Sequence, residues 1–239
     1  MRLSQIIIII GILLSSCAKK EEKPTVESSY LKAKQMLDDK NYYDAIEAFD
    51  KIIDDFPFSK WSLKSHTMGT YAKYKNNRDD EVIASVDEFL ALYPSNEYAP
   101  YMMYMKGLVH YNRIPDISRS QDRSKEAYLV FSELQSRFPS SKYKEDVIDK
   151  LDFINEHLAG ELMSVGRYQI RQKNYNGAAK NFYRVIRYYS DSNQVPESYY
   201  RLAEIYHKIG IDKNASEVVT ILEEKYPDNY WTKLALNIR

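Results

Sequence analysis

The side chains best placed to do chemistry are few. Cys17 is the single cysteine of the chain, so a disulfide framework or an internal thiolate cluster is impossible. It closes Leu14-Ser15-Ser16-Cys17 directly after the apolar run Ile6–Leu14. That run is shorter than the roughly 20 apolar residues a membrane helix needs, and with Arg2 before it, it fits a secretory signal peptide. The ending resembles a lipobox, in which cleavage leaves the cysteine first and acylated. The alternative is a plain signal peptide with an incidental cysteine. Residues 1–16 are therefore expected to be removed. Residues 17–27, polar after Ala18, are expected to act as a tether carrying acyl chains on Cys17. Ala18 is compatible with sorting to the outer membrane.

Other chemistry is harder to find. His66, His110, His157 and His207 are not spaced as ligand pairs, and neither H-E-x-x-H nor G-x-S-x-G occurs. Asp54-Asp55 and Asp79-Asp80-Glu81 suit charges at helix ends better than a general acid–base pair. With 34 basic and 34 acidic residues, no charge excess invites nucleic acid. Seven glycines leave little room for hairpins or phosphate loops, so an all-α chain without cofactor or metal is expected.

The elements repeat. A small or apolar residue is followed by apolar residues at +4 and +7 and a helix terminator at +12. Ala45/Phe49/Ile52/Pro57, Val82/Val86/Phe89/Pro94, Ala127/Phe131/Leu134/Pro139 and Ala215/Val219/Leu222/Pro227 fit. Ala178/Phe182/Val185 fits with Ser190 in place of the proline. These steps put the apolar groups on one helix face, and proline ends the helix. Pro-x-Ser/Asn-x-aromatic follows, as in Ser59/Trp61, Asn96/Tyr98, Ser141/Tyr143 and Asn229/Trp231, and predicts an N-cap and an aromatic plug between hairpins. Tyr199, Leu202, Ala203 and Tyr206 match a tetratricopeptide (TPR) first helix. About five helical hairpins stacked into a TPR solenoid follow. The anchor spacing widens twice, around Ile114–Gln121 and along a long helix from about Tyr143 to Arg171. The expected halves are 28–142 (repeats 1–3) and 143–239 (repeats 4–5).

First helices should line an inner groove. Counting from the small positions places Tyr30, Lys34, Leu37, Lys64, Tyr71, Tyr74, Lys75, Tyr101, Tyr104 and Tyr111 on it, unless the tyrosines are ordinary inter-helix packing. Tyr and Lys together suit an extended peptide with a terminal carboxylate.

The segments Tyr101–Leu108, Ile114–Gln121, Arg137–Tyr143 and Leu158–Tyr168 give a closer likeness. With its lipobox and insertions, the chain resembles the BamD (ComL) family of tetratricopeptide lipoproteins across essentially its whole mature length. It departs from the family pattern at Ser120, Gln169 and Asn181, where relatives tend to carry an acidic residue, Tyr and Arg. The resemblance implies a non-enzymatic adaptor on the periplasmic side of the outer membrane. The first repeats would receive unfolded outer-membrane proteins. The last would dock the periplasmic domains of BamA, alongside other Bam lipoproteins, with Glu161, Arg167, Arg184 and Arg187 near the docking surface. A different envelope adaptor, such as a cell-division coordinator, is the alternative; an envelope enzyme is disfavoured because no residues remain for a catalytic domain.

Overall fold

The computed structural model describes residues 24–238; the signal segment, Cys17 and most of the tether lie outside the described residues. Eleven α-helices and no strands are found there. They are α1 (Val26–Asp38), α2 (Tyr42–Asp55), α3 (Lys60–Lys75), α4 (Asp79–Leu92), α5 (Ala99–Tyr111), α6 (Asp122–Arg137), α7 (Lys144–Arg171), α8 (Tyr175–Tyr188), α9 (Val195–Lys208), α10 (Asp212–Lys225) and α11 (Tyr230–Ala235). Consecutive helices pair into five hairpins, α1/α2 to α9/α10, and α11 closes the last. This is the expected TPR arrangement.

The second helix of each hairpin explains the repeat. All the anchor residues predicted from the +4 and +7 spacing, from Ala45 to Leu222, are at most 2% exposed. Each fully buries one apolar stripe, worth roughly 1.5–3 kcal/mol per large side chain. The partner helix must come close to the knob so formed. A Cβ on Gly107 would sit 2.3 Å from the Phe131 ring, and one on Gly166 would sit 2.6 Å from the Phe182 ring.

Second helices end one residue before the predicted terminator, on an aromatic. Phe56, Tyr93, Phe138, Tyr189 and Tyr226 hold φ between −131° and −138°, and each donates its N–H to the carbonyl four residues back. Proline disfavours αR for its predecessor, but Tyr189 adopts the same conformation before Ser190, so the aromatic cap belongs to the repeat itself. The following Ser/Asn behaves in two ways. Ser59 and Asn229 are true N-caps. Asn96 and Ser141 instead accept from Tyr98 and Tyr143 N–H, forming a side-chain turn that begins three residues before helix α5 or α7. Ser192 does the same for Gln194.

Within four hairpins the first helix ends on a left-handed residue: Lys40, Asn77, Lys173 and Gly210. In the first, Lys40 N–H bonds to the Leu37 carbonyl and Asn41 N–H to that of Met36, the paired bonds of a Schellman turn. The third hairpin replaces this turn with the Ile114–Gln121 insertion. Gln121 is fully buried there and donates to the Asp116 and Arg119 carbonyls while accepting from Ser124 Oγ at 2.7 Å. Ile117 leans on the α7 backbone at Gly160.

The long helix α7 serves both sides. Val147, Leu151, Ile154 and Leu158 share a core with Met103, Phe131 and Leu134, whereas Ala159, Leu162 and Met163 share one with Phe182, Val185 and Leu202. The packing thus changes partners inside α7, near Leu158, and not at residue 143, because the third hairpin needs the first turns of α7 to cover its apolar face. At the far end, Trp231 of α11 packs on Tyr200 with centroids 5.3 Å apart, and Thr232 Oγ1 donates to the Tyr226 carbonyl at 2.6 Å. α11 therefore covers an edge that the next repeat would otherwise bury.

Candidate functional site

The first helices of hairpins one to three form the walls of a trough. One cleft of about 500 Å³ is bounded by Lys34 and Leu37 of α1, Met68, Tyr71 and Lys75 of α3, and Tyr101 of α5. A second, about 510 Å³, shares Met68 and Tyr101 and continues over Tyr98, Lys142 and Tyr143. A third, about 290 Å³, shares Lys75 and continues over Tyr74 and Arg113. The three are joined through shared residues and cross the hairpins, as an extended ligand would require.

Five of the predicted groove residues, Lys34, Leu37, Tyr71, Lys75 and Tyr101, meet in one cleft. Tyr74 joins at the neighbouring cleft, its hydroxyl accepting from Asn112 Nδ2 at 2.6 Å. The others are placed differently. Tyr30 is only 8% exposed and packs between Phe49 and Trp61, with centroids 5.8 and 4.9 Å away, so it is core and not groove surface. Lys64 lies over the Trp61 ring at 4.8 Å. Tyr104 stacks on Tyr143 at 4.4 Å and 12° and donates to Asp146 at 2.6 Å. Tyr111 packs between Phe131 and Phe153. Both face α7, whose first turns cover the third hairpin, a consequence invisible to counting along one helix.

The electrostatics suit a peptide end. Lys34 is paired with Asp38 at 2.9 Å, while Lys75 is exposed and makes no ion pair among the described residues. It is a cation available to a carboxylate, as is the exposed Lys40 in the same cleft. Burial pushes the Tyr101 phenol up, and the Tyr143 and Tyr71 phenols add to this. Burial likewise raises Tyr104, reinforced by its bond to Asp146. Both phenols therefore stay neutral donors. Burial acts to raise Asp146, but bonds from Lys150 and Tyr104 outweigh it and hold the carboxyl below its usual range. Residue counting missed Met68, Tyr98, Tyr143 and Lys142. The last three sit in or beside the Pro-x-Ser/Asn-x-aromatic signature, whose aromatics plug the seam and also wall the trough.

The four residues named for docking separate. Arg167 bonds Glu197 across α7 and α9 at 3.0 Å, and Glu197, only 9% exposed, also bonds Arg201 at 3.2 Å. Arg167 is thus an internal tie. Glu161 and Arg184 both act electrostatically on Tyr189, whose phenol is raised chiefly by burial. Arg184 and Arg187 are exposed on α8 beside Tyr183 and Tyr188, and Arg187 donates to Tyr183 Oη at 3.3 Å. Exposed aromatic and Arg side chains on one amphipathic helix have the composition of an interface hot spot. Two departures from the family pattern touch each other: Asn181 Nδ2 donates to Gln169 Oε1 at 2.9 Å, so they form one hydrogen-bonded pair.

Among the described residues no helix is long and apolar enough to cross a membrane. Comparison with known proteins fits the geometry. The profile of the YfiO family, described as outer membrane lipoprotein, matches residues 22–221. The outer membrane protein assembly factor BamD of Caulobacter vibrioides is 30% identical, covering 94% of this chain and 76% of its own. That of Rickettsia prowazekii is 29% identical over 99% and 96%. That of Neisseria meningitidis serogroup A is 31% identical over 91% and 89%. The crystal structure of PilW, a type IV pilus biogenesis factor, overlaps at a TM-score of 0.29 and 12% identity, covering 90% of this chain and 100% of that one, too slight a likeness to carry a conclusion. Profile and relatives span the trough, the insertion and the long helix alike, and the chain belongs to the BamD (YfiO) family of outer-membrane lipoproteins.

Proposed function

We propose that this chain is an assembly factor for outer-membrane β-barrel proteins: a non-catalytic adaptor, anchored through acyl chains on Cys17 and facing the periplasm. Its trough receives the C-terminal strand of an unfolded client. Its C-terminal helices dock the periplasmic domains of BamA, with other Bam lipoproteins in the same complex. The observation that carries the reading is the continuity of the trough across α1, α3 and α5, with aromatic and Met walls and the cation of Lys75 at the junction of two clefts. Tyr side chains give contact area at low entropic cost, and a Lys meets a chain-terminal carboxylate. The exposed Tyr183, Arg184, Arg187 and Tyr188 of α8 line none of the trough's three clefts, so a partner on α8 and a client in the trough would use different residues.

Affinity purification of the full chain from solubilised membranes tests this. Co-purification of a large β-barrel protein is expected. Recovery of division proteins without a barrel would transfer the adaptor role to cell division.

A further inference from the structure

The loops that lead from one hairpin to the next are copies of one turn, so they can be compared position by position. The residue after each terminator is Phe58, Ser95, Ser140, Asp191 and Asp228 in turn. Four are polar and one is aromatic. Phe58 is 98% exposed, whereas the next most exposed large apolar side chain among the described residues, Tyr188, is at 65%. Phe56, in the same loop, is 39% exposed. Phe58 takes part in no ring pair among the described residues, so nothing in the fold accounts for it.

Its position is specific. The loop joins α2 to α3 at the end of the solenoid where the chain enters. Trp61 packs on Tyr30 with ring centroids 4.9 Å apart and planes tilted by 40°, and Val26, at the start of α1, packs against the same core. From Cys17 to Pro24 the chain reaches at most roughly 25 Å, at about 3.5 Å per residue. An anchor on Cys17 therefore holds this end close to the bilayer. Next to Phe58, the Lys60 and Lys64 ammonium groups lie 5.3 and 4.8 Å from the Trp61 centroid. An indole with cations beside it is the composition of a membrane–water interface.

We propose that the α2–α3 loop is a second membrane contact: Phe58 enters the acyl boundary of the phospholipid leaflet that carries the anchor, and Trp61 sits at headgroup level with Lys60 and Lys64 facing phosphates. The proposal rests on the lipid-anchored reading. One phenylalanine does not hold a free protein on a bilayer, but a tether makes its insertion an intramolecular event at high effective concentration. Asp54 and Asp55 precede the loop and offset the lysines, so apolar insertion, and not attraction to anionic lipid, dominates. The contact fixes the first hairpin, and with it the trough, at a set angle to the membrane.

The test uses the acylated full-length mature chain in vesicles of phosphatidylethanolamine and phosphatidylglycerol containing brominated phosphatidylcholine. Phe58→Trp adds a reporter in the loop, and Ser140→Trp adds one at the equivalent turn of the third hairpin. Flotation first establishes that both variants are on the vesicles, and circular dichroism that both are folded. The reporter added by Phe58→Trp is expected to lose at least about half its intensity, as a ring within the acyl boundary would, and that added by Ser140→Trp to be little affected. Equal quenching of the two in floating protein overturns the contact while leaving the anchor intact, whatever else covers Phe58. Failure to float overturns the anchored reading itself, and the contact falls with it.

Discussion

Helices α3 and α9 hold the same place in their hairpins but bury different chemistry. α9 buries Val195, Leu202, Ala203 and Ile205, and its buried polar groups are satisfied: Ser198 Oγ donates to the Gln194 carbonyl, and Glu197 bonds two arginines. α3 buries Ser62, Ser65, His66, Thr67 and Thr70, and the hydroxyls of Ser62, Ser65 and Thr70 have no hydrogen-bond partner among the described residues. Each such group costs about 1–3 kcal/mol. One of the trough's three hairpins is therefore held less firmly than the hairpin of α9. Such low-stability segments are where binding surfaces that must adapt tend to lie. The difference teaches that one repeat pattern yields two mechanical parts, according to whether first helices bury hydrocarbon or hydroxyls.

The largest test of the comparison concerns what the halves share. Both depend on a glycine against a phenylalanine, and Gly107→Ala or Gly166→Ala should each cost about 3 kcal/mol or more by overpacking a ring that cannot move aside. Gly160→Ala, whose Cβ would meet Ile117 at an ordinary 3.5 Å, should be neutral or gain up to ~1 kcal/mol in helix propensity. Urea unfolding of the three variants checks the order. A Gly107→Ala protein as stable as wild type would show that the close approach is not obligatory.

A second test separates the halves by pH. His66 and His110 are 6% and 5% exposed, and burial, reinforced for His110 by Arg123, lowers both below the usual 6.5. A histidine kept neutral by folding contributes stability that is complete above 6.5 and lost as pH falls from there toward the lowered value. Both lie in the first three hairpins. Hydrogen exchange at pH 5.5 should show α3 to α5 losing protection relative to pH 7.5, with α8 to α10 losing less. Equal loss in the two regions would contradict the comparison.

The smallest effect concerns the orphan hydroxyls. Ser65→Ala removes one and improves helix propensity, so it should stabilise by about 1 kcal/mol; a destabilised variant would show that the hydroxyl is satisfied. Thermal unfolding is sufficient to read it.

How much of this was legible in the sequence depends on how local the cause is. The Ala45/Phe49/Ile52 spacing and its four copies place the core, because burial of a helix face follows directly from period. The insertion and long helix are likewise visible as breaks in that period. What could not be counted along one helix was where tyrosines end up. Tyr30 is sealed by Trp61, and Tyr104 and Tyr111 are turned to α7, because a residue on the inner face of one hairpin is covered or exposed by its neighbours. The tie of Arg167 to Glu197 was out of reach for the same reason: its partner lies on another helix. Lys34, Leu37, Tyr71, Lys75 and Tyr101 were placed together because they stand on the open side of their hairpins.

The central claim is that the trough, and not the α8 surface, takes the client strand. Binding of a labelled peptide copying the last strand of an outer-membrane barrel, with a terminal aromatic and free carboxylate, measures it by fluorescence anisotropy on the intact chain. Tyr71→Ala combined with Lys75→Ala should weaken binding by about 1–3 kcal/mol, the loss of one aromatic anchor and one charge contact. Tyr183→Ala combined with Arg187→Ala should leave it unchanged. Full affinity in the first double variant, with loss in the second, would contradict the account.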